Sequence, residues 1–312
     1  NVINGTLKAV ANLSGGVTGA GNLTLNNLGL AANVINLTGN AINHTGSLTV
    51  QGTATGDTNI GADIGENVTS VTQASATSSL VLSGNNGYTG DTTISAGTLR
   101  LGAADVIPNG AGKGNVSVSG TIDLNGFSET INGLSGGGVV DNTAASTNTV
   151  LTLSAGSIFS GTIQNSGAPL TLVKGPAGGV ILTGNNNTYS GGTIVQGGRL
   201  FIANAGALTP NGSVQVNAGT LAINAAGSPT FAQTINLASG AALSVRKDAT
   251  ISGVILPTAG SVVFNRDDQP TVAFSLNSAP VLAGDLTVQV GGGTNSTVGD
   301  VTLAGVITGT GG

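Results

Sequence analysis

The chain has 312 residues, of which 53 are glycine, 7% are charged and 3% are aromatic, and its net charge is −5. Its hydrophobic content of 39% and mean hydropathy of +0.30 exclude a disordered chain. No apolar run is long enough for a transmembrane helix, and the acidic balance argues against nucleic acid and anionic membrane surfaces as partners. Short apolar stretches cut by turn residues therefore predict an all-β protein.

The first part of the chain, residues 1–79, shows short strands between turns, as in GNLTLNN at 21–27. Its single histidine, His44, is predicted as a solvent-facing turn residue. The segment VTSVTQASATSSL at 68–80 is rich in Ser and Thr and is a candidate loop leaving the main structure. Because cysteine is absent, stability has to come from repetitive stacking rather than from disulfides.

An internal repeat occupies about 80–134 and about 181–238. Its strongest part reads LSGNNGYTGDTTISAGTLRL at 82–101 and LTGNNNTYSGGTIVQGGRLFI at 182–202, with one extra Asn in the second copy. The match continues from the Pro-Asn-Gly sequences at 108–110 and 210–212 to FSETIN at 127–132 and FAQTIN at 231–236. Two sequences that agree over about fifty residues in this way are expected to form the same structural unit.

The last part of the chain, residues 239–312, returns to the weaker strand and turn pattern, as in GDLTVQVGGG at 284–293. GGGTNSTVGD at 291–300 is a second candidate loop. The chain starts at Asn1 without an initiator methionine, so we expect an interior or processed piece of a longer protein.

Triplets such as Val116-Ser117-Val118 and Ile122-Asp123-Leu124 alternate apolar and polar residues between turns. Strands this short are not stable as isolated hairpins. The sequence therefore predicts a single-stranded right-handed parallel β-helix over 1–312, one continuous solenoid. With about 20–25 residues a turn, it would make roughly 14 turns.

Certain residues recur in the repeat, and each has an expected structural role. Gly84, Gly90 and Gly97 are expected to provide a positive φ or a close backbone approach. Asn85 and Asn86 are suited to turn positions in the left-handed region. Tyr88 and Tyr189 are expected to lie over a corner, with the hydroxyl group reaching solvent or a backbone group.

The sequences at 82–102 and 182–202 resemble the autotransporter-associated β-strand repeat, also called the passenger-associated transport repeat. That family's pattern is similar to L-x-G-x-N-T-Y-x-G-x-T-x-I-x-x-G-x-L. The first copy has Gly87 in place of its Thr, and the second has Thr188 there but Val195 in place of Ile. The resemblance implies an exported β-helical passenger of a bacterial autotransporter, with membrane attachment only through a C-terminal β-barrel outside this chain.

Residues able to support chemistry are few. The acidic groups Asp57, Asp63 and Glu66, and Arg266-Asp267-Asp268, lack EF-hand spacing and are expected to be solvated turn carboxylates. Asp123 and Asp141 lie about one turn apart and would be able to approach each other, as a polysaccharide-acting β-helix enzyme would require. We assign no residue as catalytic, cofactor-binding or metal-binding, and we expect no cofactor.

The sequence thus favours a non-catalytic passenger rod, extracellular and either surface-attached or secreted, that mediates adhesion or self-association. The expected partners are host or neighbouring-cell surface molecules, glycans among them, and no nucleic acid. Two alternatives stay open: an extracellular fibre or surface-layer subunit that stacks end to end, and an enzyme acting on polysaccharides.

Overall fold

The computed structural model describes residues 2–3, 10–29, 32–208, 212–227, 229–245 and 249–252, and then the strands at 255–257, 262–265, 274–276, 281–282, 286–289, 301–303 and 308–309. Within these residues the secondary structure is β, apart from one short 3-10 helix, Ala205–Ala207. None of the helical structure described there is long or apolar enough to span a membrane. The Cα positions form two compact units, Asn1–Leu151 with Gln164–Pro169 and Thr152–Ile163 with Leu170–Gly312.

The strands of the first unit are short and follow one another closely. They are β1 (Val2–Ile3), β2 (Val10–Leu13), β3 (Leu23–Asn27), β4 (Val34–Leu37), β5 (Gly46–Gly52), β6 (Thr58–Ile60), β7 (Val68–Gln73), β8 (Ser79–Leu82), β9 (Thr92–Ile94), β10 (Thr98–Leu101), β11 (Val116–Val118), β12 (Thr121–Asp123), β13 (Glu129–Ile131), β14 (Leu134–Gly136) and β15 (Val139–Asp141). Strand β16 (Thr149–Leu153) runs across the boundary between the two units.

The strands of the second unit have the same character. They are β17 (Ser157–Phe159), β18 (Thr162–Ile163), β19 (Leu170–Lys174), β20 (Gly179–Leu182), β21 (Thr193–Val195), β22 (Arg199–Ile202), β23 (Val214–Val216), β24 (Thr220–Ile223), β25 (Thr230–Phe231), β26 (Ile235–Leu237), β27 (Ala242–Val245), β28 (Ala249–Ile251), β29 (Ile255–Pro257), β30 (Val262–Asn265), β31 (Phe274–Leu276), β32 (Val281–Leu282), β33 (Leu286–Gln289), β34 (Val301–Leu303) and β35 (Thr308–Gly309).

Most strands of the first unit alternate between two parallel sheets. One sheet has the order β1-β3-β5-β7-β9-β11-β14, and the other has the order β15-β12-β10-β8-β6-β4-β2. A third side is marked by isolated parallel bridges, such as those of Ile42 with Val17 and Ile64. The chain therefore coils, and each strand pairs with its equivalent in the next turn.

Strands of the second unit stack in the same manner. One sheet has the order β17-β20-β22-β24-β27-β30-β33, a second has β19-β21-β23-β26-β29, and a third has β25-β28-β31-β34. Strands β32 and β35 form a further parallel pair. In one ladder Val180 pairs with Leu200, and Leu200 pairs with Leu221, at offsets of 20 and 21 residues.

These ladders confirm the all-β parallel β-solenoid. About ten turns lie in the part of the chain that is described with few gaps. The predicted total of roughly fourteen is higher because it divided all 312 residues by one turn length. The single continuous solenoid over 1–312 stays a prediction.

The interior of the first unit is a set of apolar columns. In the second of its two sheets one column is built from register partners that are all apolar except Thr58, each at most 1% exposed: Ile35, Thr58, Leu80, Leu99, Ile122 and Val140. Because side chains alternate along a strand, every second residue enters this core and its neighbours face outward. Each fully buried Leu, Ile or Val contributes about 1.5–3 kcal/mol from the hydrophobic effect.

The two candidate loops have different outcomes. The segment 68–80 does not leave the coil, because it contains β7 and the first half of β8 and buries Val71, Gln73 and Ser75. The loop prediction is wrong because Ser and Thr residues of this segment hydrogen-bond to the preceding turn. Ser75 Oγ, for example, donates to the carbonyl of Gly52 at 3.1 Å. The segment 291–300 lies outside the described residues.

The glycines of the repeat behave as predicted. Gly97 has a φ of +62°, and a Cβ atom on Gly84 would lie 2.5 Å from the carbonyl oxygen of Ala62. The prediction that Asn85 and Asn86 adopt the left-handed region is wrong, because among the described residues Asp105 and Asn125 are the only non-glycine residues with a positive φ. Asn86 instead accepts from the Ile64 amide at 2.9 Å and donates to the Val106 carbonyl at 2.8 Å, which links successive turns.

Candidate interaction surface

A column of hydroxyl side chains runs along the outside of one sheet of the first unit. This hydroxyl ladder consists of Thr24, Thr49, Thr72, Thr93, Ser117 and Ser135, which are consecutive register partners. All six are half-buried or exposed. They occupy the outward positions of β3, β5, β7, β9, β11 and β14, and most of the residues on either side of them are apolar and face the core. Adjacent hydroxyl groups are therefore one strand spacing apart, about 4.8 Å.

A second polar column borders the hydroxyl ladder on the side where the strands begin. Ser47 pairs with Ser70, and its amide donates to the Asn22 Oδ1 atom at 2.9 Å. Farther along, the Asn115 amide donates to the Asp91 Oδ1 atom at 2.7 Å. Hydroxyl groups both donate and accept hydrogen bonds, so apart from the exposed Asp91 carboxylate this face offers many weak, uncharged contacts.

The other sheet of the first unit has an asparagine ladder on its outer face. Asn36 Nδ2 donates to Asn12 Oδ1, and Asn59 Nδ2 donates to Asn36 Oδ1, each at 2.8 Å. These amides use one another as partners, so the ladder strengthens the stacking of turns as well as presenting polar atoms.

An outward column in the second unit is apolar instead. Ile158, Ile181 and Phe201 are register partners, and Ile158 is 61% exposed. The Arg199 guanidinium lies 5.3 Å from the centre of the Phe201 ring, at the distance of a cation–π contact.

Asp123 and Asp141 do come together, as register partners on β12 and β15. Asp123 accepts from the Arg100 Nε atom at 3.0 Å and from the Thr143 hydroxyl at 2.8 Å. Asp141 accepts from the Gln164 Nε2 atom at 2.8 Å and from the Ser166 hydroxyl at 2.9 Å. Both carboxylates are buried, so they hold neighbouring turns together and do not face a groove.

The two repeat tyrosines are fully buried and each hydroxyl group contacts a threonine, so the expectation that these hydroxyl groups reach solvent or a backbone group is wrong. The Tyr88 hydroxyl lies 2.6 Å from the Thr92 Oγ1 atom, and the Tyr189 hydroxyl lies 2.7 Å from the Thr193 Oγ1 atom. Burial raises the pKa of Tyr88 above its usual range and that of Tyr189 to about 12. A neighbouring threonine thus satisfies each hydroxyl inside the coil.

His44 is also buried, at 2% exposure, and the prediction of a solvent-facing residue is wrong. Its Nε2 atom lies 3.1 Å from the Ser47 carbonyl oxygen. No carboxylate hydrogen-bonds to it among the described residues, so the histidine caps a turn in the way that an amide side chain does.

Two buried charged side chains were missed by sequence reasoning. Glu129 is 1% exposed and accepts from the Val106 amide at 3.0 Å and the Ile107 amide at 3.1 Å. Burial raises the pKa of Glu129 to about 8, although these two amides oppose the shift. Lys174 donates to the carbonyls of Gly175 and Ala177, and burial lowers its pKa. A signal existed for Glu129, because Gln233 occupies the same place in the second repeat copy.

The acidic turn residues cap the next turn. The Asp57 Oδ1 atom accepts from the Ser79 amide at 3.3 Å, and the Asp63 Oδ1 atom accepts from the Asn85 amide at 2.7 Å. Over the part of the chain that the structure describes, no three His, Cys, Asp or Glu residues are grouped as metal ligands would be. Asp267 and Asp268 lie outside that part.

Comparison with known proteins agrees with the coil and its repeats. The passenger-associated-transport-repeat family matches residues 77–101 and 172–200. The chain is 32% identical over 214 residues, 65% of its length, to a protein named "Adhesin BmaC autotransporter" from Brucella suis biovar 1 (strain 1330). The chain spans about 6% of that relative's length, and no solved structure matches it. The two matched segments are similar to passenger-associated transport repeats, and both comparisons support an autotransporter passenger domain as the kind of protein that this chain resembles.

Proposed function

We propose that the chain is a non-catalytic adhesive segment of an extracellular passenger, and that the hydroxyl ladder is its contact surface. The single observation that carries this proposal is the unbroken column from Thr24 to Ser135, a long outward face of hydroxyl groups. Such a face binds by many weak hydrogen bonds rather than by one deep site. The relative named as an adhesin supports the same role.

Three finer features belong to the same proposal. The coil is right-handed, since parallel strands joined by crossover connections in one sheet are right-handed in nearly all proteins. The passenger acts at the bacterial surface or after release, on host or neighbouring cells. It carries out no reaction, and the structural hydrogen bonds of Asp123 and Asp141 support that part of the proposal.

The test places a lysine at the middle of the hydroxyl ladder in the full-length protein displayed on bacteria. Thr72 is half-buried and outward on β7, so Thr72→Lys adds charge and bulk to the surface without entering the core. Val81 is half-buried and outward on the other sheet, so Val81→Lys makes the same charge change elsewhere on the unit. We expect Thr72→Lys to reduce the number of bacteria bound to host cells several-fold and Val81→Lys to leave it unchanged.

Equal binding by both variants and the unchanged protein would show that the ladder is not the contact surface. If bacteria with and without the protein bind host cells equally, the adhesive role itself is wrong. Settling of a bacterial suspension without host cells tests the alternative, since a loss of settling in Thr72→Lys alone would favour self-association.

A further inference from the structure

An open polar groove of about 400 Å³ lies in the second unit, where three successive strands begin. It is lined by Ser190, Gly191, Gly212, Ser213, Ala232, Gln233 and Thr234. These residues directly precede β21, β23 and β26, so each of three turns contributes to the wall. Ser190, Ser213 and Ala232 are exposed at its mouth, and Gln233 is 6% exposed at its floor.

The lining chemistry restricts the ligand class. Three hydroxyl groups and one amide face a space without a charged side chain among the lining residues. An ionic ligand would lose hydration without a counter-charge, and an apolar ligand would leave buried polar groups unmatched. A neutral molecule with many hydroxyl groups can both donate to and accept from this lining. The volume is within the range of small-ligand sites, about 300–1,000 Å³.

The first repeat copy has a longer loop at the corresponding sequence position. Between the matched Pro-Asn-Gly and Val-x-Val sequences it has four more residues than the second copy, which reads only Gly212-Ser213-Val214 there. The additional loop is held by Asn132, whose Nδ2 atom donates to the carbonyls of Gly110, Lys113 and Gly114 at 2.9–3.2 Å.

That loop closes against the preceding turn. The Lys113 ammonium donates to the Gly87 carbonyl, and a Cβ atom on Gly114 would overlap the backbone of Gly90. Gly90 is the counterpart of Gly191, a groove residue of the second copy. In the second copy, Gly212 and Ser213 of the shorter sequence line the groove.

We propose that this groove is a binding site for a short neutral glycan. The proposal rests on the adhesive function and adds a ligand class to it. The site is distinct from the hydroxyl ladder, which lies in the other unit. Binding through one small open groove is expected to be weak, and repeated contact between cells would compensate for this by multivalency.

The experiment measures binding of the purified full chain to immobilised N-acetyllactosamine and to its sialylated form. Ala232→Gln fills the mouth of the groove. Ala218→Gln is the control, since it makes the same change at an exposed position just after β23 and outside the groove. A second filled variant inserts Ala-Gly-Lys-Gly between Gly212 and Ser213, as in the first copy. We expect the neutral probe to bind the unchanged chain and Ala218→Gln equally, and both filled variants at least about tenfold more weakly. The sialylated probe should bind the unchanged chain less than the neutral one.

Equal binding of the neutral probe to all variants would place the glycan elsewhere and overturn the proposal. Stronger binding of the sialylated probe would overturn the assigned ligand class. If neither probe binds the unchanged chain, the groove is not a glycan site. Adhesion through the hydroxyl ladder is unaffected by any of these results, because the Thr72→Lys comparison measures it separately.

Discussion

Buried polar side chains occupy the corners of the coil, where the chain leaves one sheet and enters the next. Gln73 Nε2 donates to the carbonyls of Ser75 and Ser78 at 3.1 and 2.7 Å. Lys174 is the counterpart of Gln73, since the two residues pair with Ile94 and Val195 at matched positions of the repeat copies. Corner carbonyls have no strand partner, so a buried donor has to satisfy them. The Gln73 amide and the Lys174 ammonium group both serve this purpose.

The buried pair of Tyr88 and Thr92 can be tested by a double-mutant cycle. Tyr88→Phe removes the phenolic hydroxyl group and leaves a buried Thr92 hydroxyl unpaired, which we expect to cost about 1–3 kcal/mol of unfolding free energy. Thr92→Val leaves the phenol unpaired at a similar cost. Because the double variant removes both partners, its loss of unfolding free energy should be smaller than the sum of the two single losses. Additive losses in denaturant unfolding would show that the two hydroxyl groups do not depend on each other.

Glu129 is expected to make stability depend on pH. Its folded-state pKa is raised from 4.5 to about 8, so the folded chain favours the protonated carboxyl group. The stability that this group contributes is fully present below pH 4.5 and is lost as the pH rises through about 8. The thermal midpoint should therefore fall over this range, and Glu129→Gln should flatten the fall. Glu66 is exposed in the same unit, so Glu66→Gln is the matched control. A flat profile for the unchanged protein would contradict the prediction.

At the scale of the elements, close approach between turns decides which glycines can be replaced. A Cβ atom on Gly90 would overlap the Thr69 carbonyl oxygen, whereas the nearest atom to a Cβ on Gly87 is the Ile64 carbonyl oxygen at 3.9 Å. A backbone carbonyl cannot move aside without shifting its turn. We expect Gly90→Ala to cost about 1–3 kcal/mol and Gly87→Ala to cost little. Thermal unfolding of both variants measures the difference, and equal midpoints would show that the turns tolerate a wider spacing.

The strands, their parallel stacking and the glycine roles could be predicted from sequence because they depend on local pattern. Gly97 and Gly84 are examples. A positive φ or a close backbone approach requires glycine, so the glycine itself indicates it in the sequence. The positions of Tyr88 and His44 could not be predicted, because both depend on a partner that only the folded coil supplies. The groove is lined by residues of three successive turns, from Ser190 to Thr234. The repeat alignment gave the loop lengths but not which residues of different turns lie side by side.

At the scale of the whole chain, charge contributes little to cohesion. Among the described residues one ion pair is found, between Arg100 and Asp123, and only 7% of the chain is charged. Asp123 is buried in that pair, so salt screens it less than it would a surface pair. The remaining cohesion comes mainly from apolar columns and uncharged hydrogen bonds, which salt does not screen. Asp141 and Lys174 add hydrogen bonds from charged groups, but both side chains are buried and are therefore screened less than surface groups. Stability and adhesion should therefore respond to salt in the same weak manner.

Raising NaCl from about 0.05 M to about 1 M shortens the Debye length several-fold, and polyelectrolyte contacts weaken strongly over that range. We expect adhesion of bacteria that display the unchanged protein to vary less than about twofold, because the hydroxyl ladder has no charged member. Thr72→Lys provides the control, since any residual binding through its added charge should decline with salt. Loss of adhesion by the unchanged protein at high salt would show that charged groups beyond the ladder make the contact. The thermal midpoint, recorded over the same salt range, would separate that result from unfolding.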